Sequence, residues 1–136
     1  MPTNTTRRRS LLLGKKSDKT DWANIPLLFL TMWGLPTIIL CASPVLESRM
    51  IIGLIWAASL VWMGVACLLN ARKCRRTHCF YTGPFFIAMA VISLLHGSDV
   101  IAIKDNGWRW LGFVIAVVSI SIWIFSESIL GKYLDR

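Results

Sequence analysis

The chain has 136 residues, 15 Lys plus Arg against 7 Asp plus Glu, and a formal net charge of +8. Hydrophobic residues make up 55% and charged residues 16%, with a mean hydropathy of +0.59. A disordered chain and an ordinary water-soluble domain are both excluded on these grounds, because too little polar surface is available to coat the apolar side chains.

In chain order, residues 1–21 carry Arg7, Arg8, Arg9, Lys15, Lys16 and Lys19. Arg8-Arg9-Ser10-Leu11-Leu12 looks like a twin-arginine signal, but a polar and basic run follows where an apolar core is needed. This segment reads as a flexible basic cytoplasmic arm beside anionic headgroups. Residues 22–136 read as one transmembrane domain.

A first apolar span is expected over about 25–42. Pro26 opens it, and Pro36 lies inside it, which predicts a kink near Met32–Trp33. A second span is expected over 50–69, joined to the first by a short linker with Pro44 in a tight hairpin. Gly53, Ala57 and Gly64 give it a small-residue contact face, for a helix of the same chain or of a second copy in a homo-oligomer. The third span is expected over 84–103 and is ambiguous. Its apolar run of 85–95 covers only half of a bilayer core of about 30 Å, so the helix either continues past Gly97 or breaks there. Asp105-Asn106-Gly107 then reverses the chain, and a fourth span is expected over 108–130. The fold class is therefore all-α: an integral membrane four-helix bundle made of two antiparallel hairpins.

Four spans place 12 of the 15 basic residues on one side. The positive-inside rule makes that side cytoplasmic, with both termini and the middle loop. Trp22, Tyr81 and Tyr133 then fall at the inner boundary, Trp108 and Trp110 at the outer one. Charge confined to the gaps between spans serves topology and anionic lipid; it gives no reason to expect nucleic acid.

The middle loop, 70–84, holds Cys74, His78 and Cys79 among Arg72, Lys73, Arg75 and Arg76. On one helix Cys74 and His78 would lie a turn apart on one face. Thiolate and imidazole suit a soft or borderline metal ion, so these three are candidate ligands, one short of a four-ligand structural zinc site. Glu127 is a candidate fourth ligand, or an ion-pair partner for Arg72, Arg75, Arg76 or His78. Lipid attachment and topology alone also explain such a loop. Cys41 and Cys67 need no role beyond filling space.

His96 and Asp99 would share a face of a continuous third helix, and an intramembrane ionisable pair suggests proton or cation passage. If the helix ends near Leu95, both belong to a wet outer loop instead. The absence of a glycine-rich phosphate loop, a G-x-S-x-G motif and a carboxylate cluster points away from an enzyme.

The pattern N-A-R-x-C-x-R-x-H-C-x-x-T-G-P over 70–84 resembles an uncharacterised group of small four-helix integral membrane proteins. The resemblance implies a bacterial or archaeal inner-membrane protein and implies no activity. Three readings remain open: a non-enzymatic protein holding a soft metal ion or thiol ligand, a structural protein binding anionic lipid or a partner subunit, and a small proton- or ion-coupled permease.

Overall fold

In the computed structural model, residues 22, 25–101, 103 and 106–130 are described, with the side chains of Cys74 and Leu130 excepted. The basic arm of 1–21, and Tyr133 with the C-terminal basic residues, lie outside the described residues. The described chain is all-helical. Four helices are long and apolar enough to cross a membrane: α1, Pro26–Val45; α2, Arg49–Cys74; α3, Thr77–Gly97; and α4, Gly107–Leu130.

Helix α1 is irregular where the sequence places a kink. Its middle, Leu30–Gly34, is a π-helical turn, in which the Leu35 N–H donates to the Leu30 carbonyl. Pro36 follows immediately and has no N–H to give the Met32 carbonyl, so a regular ladder cannot pass this point. The helix ends in a 3-10 turn, Ser43–Val45.

Helices α2 and α3 make the most extensive contact of the molecule; α1 packs on α2 and α4 on α3. The α2–α3 contact is drawn tight by two glycine pairs. A Cβ on Gly53 would lie 2.9 Å from the Gly97 Cα, and a Cβ on Gly64 would lie 3.0 Å from the Gly83 carbonyl oxygen. The small-residue face expected on the second span is thus met by glycines of the third. Trp56, Leu60, Met63, Cys67, Cys79, Phe86, Met89 and Leu111 fill the core around this contact.

Three sequence expectations are corrected. The long inner loop does not exist as a loop: α2 runs on to Cys74 and α3 starts at Thr77, leaving only Arg75 and Arg76 between them. Arg75 takes the left-handed conformation (φ 53°), and its N–H closes on the Ala71 carbonyl at 2.8 Å, so an arginine makes the turn that glycine usually makes. The third helix occupies Thr77–Gly97, not 84–103. Pro84 sits inside it, where its missing N–H costs one bond to the Phe80 carbonyl while the rest of the ladder holds. The second span is likewise longer than 50–69 at both ends.

Candidate functional site

The turn at Arg75–Arg76 puts Cys74 and His78 on different helices, so they do not stack one turn apart. His78 and Cys79 are successive residues of α3 and face different neighbours. His78 turns toward α4: its Nδ1–H donates to Glu127 Oε1 at 2.8 Å, and its ring lies edge-on to Trp123 at 6.4 Å. Arg76 Nε donates to the same Glu127 oxygen at 3.3 Å. Glu127 therefore ties the start of α3 to the end of α4, with side chains only 10% (Arg76), 17% (His78) and 22% (Glu127) exposed.

Cys79 turns toward α2 and is 1% exposed. Opposite it on α2 stands Cys67, 2% exposed. Around them the hydrogen bonds cross. Asn70, one turn past Cys67 on α2, reaches Cys79 Sγ through Nδ2 at 3.9 Å; Thr82, one turn past Cys79 on α3, lies with Oγ1 3.7 Å from Cys67 Sγ and 3.0 Å from the His78 carbonyl of its own helix. Trp33, in the π turn of α1, donates Nε1–H to Cys67 Sγ at 3.3 Å. Asn70 is fully buried, and its Oδ1 accepts from the Trp22 backbone N–H at 3.0 Å.

The expected trio of Cys74, His78 and Cys79 is therefore divided: the described pair point to separate helices, and the Cys74 side chain lies outside the described residues. Among the described residues no three His, Cys, Asp or Glu side chains gather closely enough to hold a metal ion. The sulfur partner that sequence reasoning missed is Cys67. Nothing in its local pattern marks it, because its pairing with Cys79 depends on the register of α2 against α3.

The tip of the α2–α3 turn is basic. Arg72, Lys73 and Arg75 are exposed there, with the Lys73 ammonium 4.6 Å from the centre of the Trp22 ring, while Arg76 folds inward.

At the opposite end the helix break at Gly97 separates His96 from Asp99. Asp99 leaves the helix at φ 57° and pairs with Arg49 Nη1 at 2.6 Å, both side chains more than half exposed (63% and 57%). His96 is 1% exposed and points inward; its Nδ1–H donates to the Ile101 carbonyl at 3.0 Å, and its ring lies 4.8 Å from that of Trp108. Trp108 also meets Trp56 at 5.2 Å, and Trp56 Nε1–H donates to Ser43 Oγ at 2.7 Å. His96 thus closes the outer end of the core, and the two residues do not form one relay face. The Ser121 and Ser126 hydroxyls bond to carbonyls of their own helix.

In comparisons with protein-family models, with curated proteins and with solved structures, nothing matches this chain.

Proposed function

We propose that the chain is a non-enzymatic inner-membrane protein that crosses the bilayer four times as a helical bundle. Both termini and the α2–α3 turn then lie in the cytoplasm, and the turn binds anionic lipid headgroups. Membrane insertion is supported by the outward faces of the helices: Leu27, Trp62, Val91 and Ile129, one on each of α1 to α4, are 54–72% exposed, which water would not tolerate over four helices. The orientation rests on the basic residues gathered at one end of the spans.

The observation that carries the lipid reading is the exposed basic tip, Arg72, Lys73 and Arg75, directly beyond the last apolar turn of α2. Each such charge near an anionic surface contributes about 1 kcal/mol, so three give about 3 kcal/mol, roughly a 100-fold preference for anionic over neutral lipid. The test is native mass spectrometry of the detergent-purified chain with phosphatidylglycerol or phosphatidylcholine, in rising salt. The wild type is expected to retain the anionic lipid and lose the preference as salt rises. The variant Arg72→Gln/Lys73→Gln/Arg75→Gln is expected to lose this roughly 100-fold share of the preference and to keep only what the basic residues of 1–21 supply. Equal retention of both lipids by the wild type refutes the reading, as does an extracytoplasmic turn found by labelling from either side.

A further inference from the structure

The buried sulfur pair carries an inference independent of the lipid reading. A cysteine that only fills space in an apolar core needs no hydrogen-bond donors around it. Cys67 and Cys79 have Trp33 on Cys67, Asn70 on Cys79, and the Thr82 hydroxyl, whose single proton is shared between Cys67 Sγ and the His78 carbonyl 3.0 Å away. These donors come from α1, α2 and α3, so three helices are arranged around two sulfurs. Donors of this kind orient and stabilise sulfur ligands of a metal ion from outside its coordination shell. Asn70 is itself fully buried, so its amide is committed to this place and has no access to water.

We propose that Cys67 and Cys79 form a two-coordinate site for a soft monovalent cation such as Cu(I). The donor set fixes the class. Two thiolates, with no third His, Cys, Asp or Glu side chain gathered beside them among the described residues, select a soft ion over Zn²⁺, which takes four ligands, and over hard cations, which take oxygen. Loading breaks two S–H bonds and forms two S–Cu bonds. Both protons leave to solvent, copper stays Cu(I), and no electron moves. The resulting bis-thiolate complex carries one net negative charge. Arg76, three residues before Cys79 and 10% exposed, is the neighbouring cation in sequence and, being already bonded to Glu127, offsets that charge only in part. Cys79 lies in the first turn of α3 and Cys67 in the last two turns of α2, so the pair lies at the same end of these helices as the basic tip.

The chain has four cysteines, which makes the test direct. The variant Cys41→Ser/Cys74→Ser retains only Cys67 and Cys79. Reduced, anaerobic protein in detergent is titrated with Cu(I) against a competing chromophoric chelator, and the loaded form is read by X-ray absorption at the copper edge. One Cu(I) per chain held by two sulfur neighbours, in the wild type and in this variant alike, is the expected result. Cys67→Ser and Cys79→Ser are expected to lose binding by more than the roughly 10–100-fold that loss of an outer partner costs. Thr82→Val, nearly the same shape but without the donor, is expected to weaken it within that range. The proposal is overturned if Cys41→Ser/Cys74→Ser takes up no Cu(I), if its copper shows nitrogen neighbours or more than two sulfurs, or if folded Cys67→Ser binds as the wild type does. Because the decisive variant alters neither sulfur of the pair, the test does not depend on the folding of the single serine variants.

Discussion

Adding one methyl group where α2 and α3 touch tests whether this contact organises the molecule. In Gly53→Ala the new Cβ would meet the Gly97 Cα at 2.9 Å and the Ser93 carbonyl oxygen at 3.2 Å. Ordinary carbon contacts lie at about 3.5–4.0 Å, so the two backbones must part by roughly 0.6–1 Å. Neither obstacle is the flexible end of a side chain, so the strain spreads along both helices. Overpacking of this kind costs about 1–3 kcal/mol. Alanine recovers up to about 1 kcal/mol of helix propensity, which leaves a net loss of about 1 kcal/mol. Gly97→Ala meets the Gly53 Cα at 2.7 Å and the Arg49 carbonyl at 3.0 Å, and at the last residue of its helix it recovers less propensity. It is expected to lose more. The double variant is expected to lose less than the two singles together, because one separation of the helices relieves both clashes. Gly34→Ala is the control: its Cβ meets only the Leu30 side chain, closest at Cδ1 at 2.9 Å, and that side chain can rotate away. Unfolding in mixed micelles, followed by the fluorescence of the seven tryptophans, reads all four variants. A Gly53→Ala protein as stable as the wild type, or a Gly34→Ala protein as damaged as Gly53→Ala, refutes the reasoning.

The same assay separates the polar contacts. Glu127→Ala removes the acceptor shared by two largely buried side chains, Arg76 and His78, and is expected to cost about 1–3 kcal/mol. Asp99→Asn breaks an ion pair whose partners are both more than half exposed, and a change within about 0.5 kcal/mol is expected. Gly107→Ala would place a Cβ 2.6 Å from His96 Nε2, with Trp108 against the same ring; a loss of about 2 kcal/mol and altered tryptophan emission are expected. Asn70→Leu keeps the branched shape but strips the part-buried Trp22 N–H of its acceptor, for an expected loss of about 1–3 kcal/mol. In each case a stability change outside the stated range counts against the contact described.

Hydropathy made the four long helices legible because a run of some twenty apolar residues has few other uses. Their ends were less legible, for identifiable reasons. Proline is usual at a helix start, so Pro84 looked like the beginning of α3. The chain instead starts the helix seven residues earlier and accepts one missing hydrogen bond. Arg75 gives no sign that it turns left-handed, since glycine or asparagine is the usual signal for that geometry. An apparent loop of fifteen residues was therefore mostly helix, and a Cys-x-x-x-His spacing that would align on one helix fell across a turn. At Gly97 the sequence left both a continuing helix and a break open, with the span drawn through to 103; the helix ends there, and the use of Gly97 as a packing surface for Gly53 was invisible until α2 and α3 were placed together.

The pairing of Cys67 with Cys79 follows from that same placement. Gly53 lies against Gly97 at one end of the α2–α3 contact and Gly64 against Gly83 further along it. Two close backbone approaches on antiparallel helices leave no freedom to slide by a residue, because any other register sets a side chain against a backbone. Continuing that register three residues past Gly64 and four before Gly83 brings Cys67 opposite Cys79. It also makes Asn70 and Thr82, each one turn beyond a cysteine, reach across to the other sulfur. The glycines thus determine which thiols meet, and a substitution at Gly64 is a register test as much as a stability test. Gly64→Ala would press its Cβ to 2.9 Å from Ile87 Cγ1 and 3.0 Å from the Gly83 carbonyl. A shift in register at this end would part the sulfurs without touching either cysteine. The Cu(I) affinity of Gly64→Ala is therefore expected to fall together with its stability. If Gly64→Ala is destabilised and still binds Cu(I) as the wild type does, the glycine pair does not set the distance between the thiols.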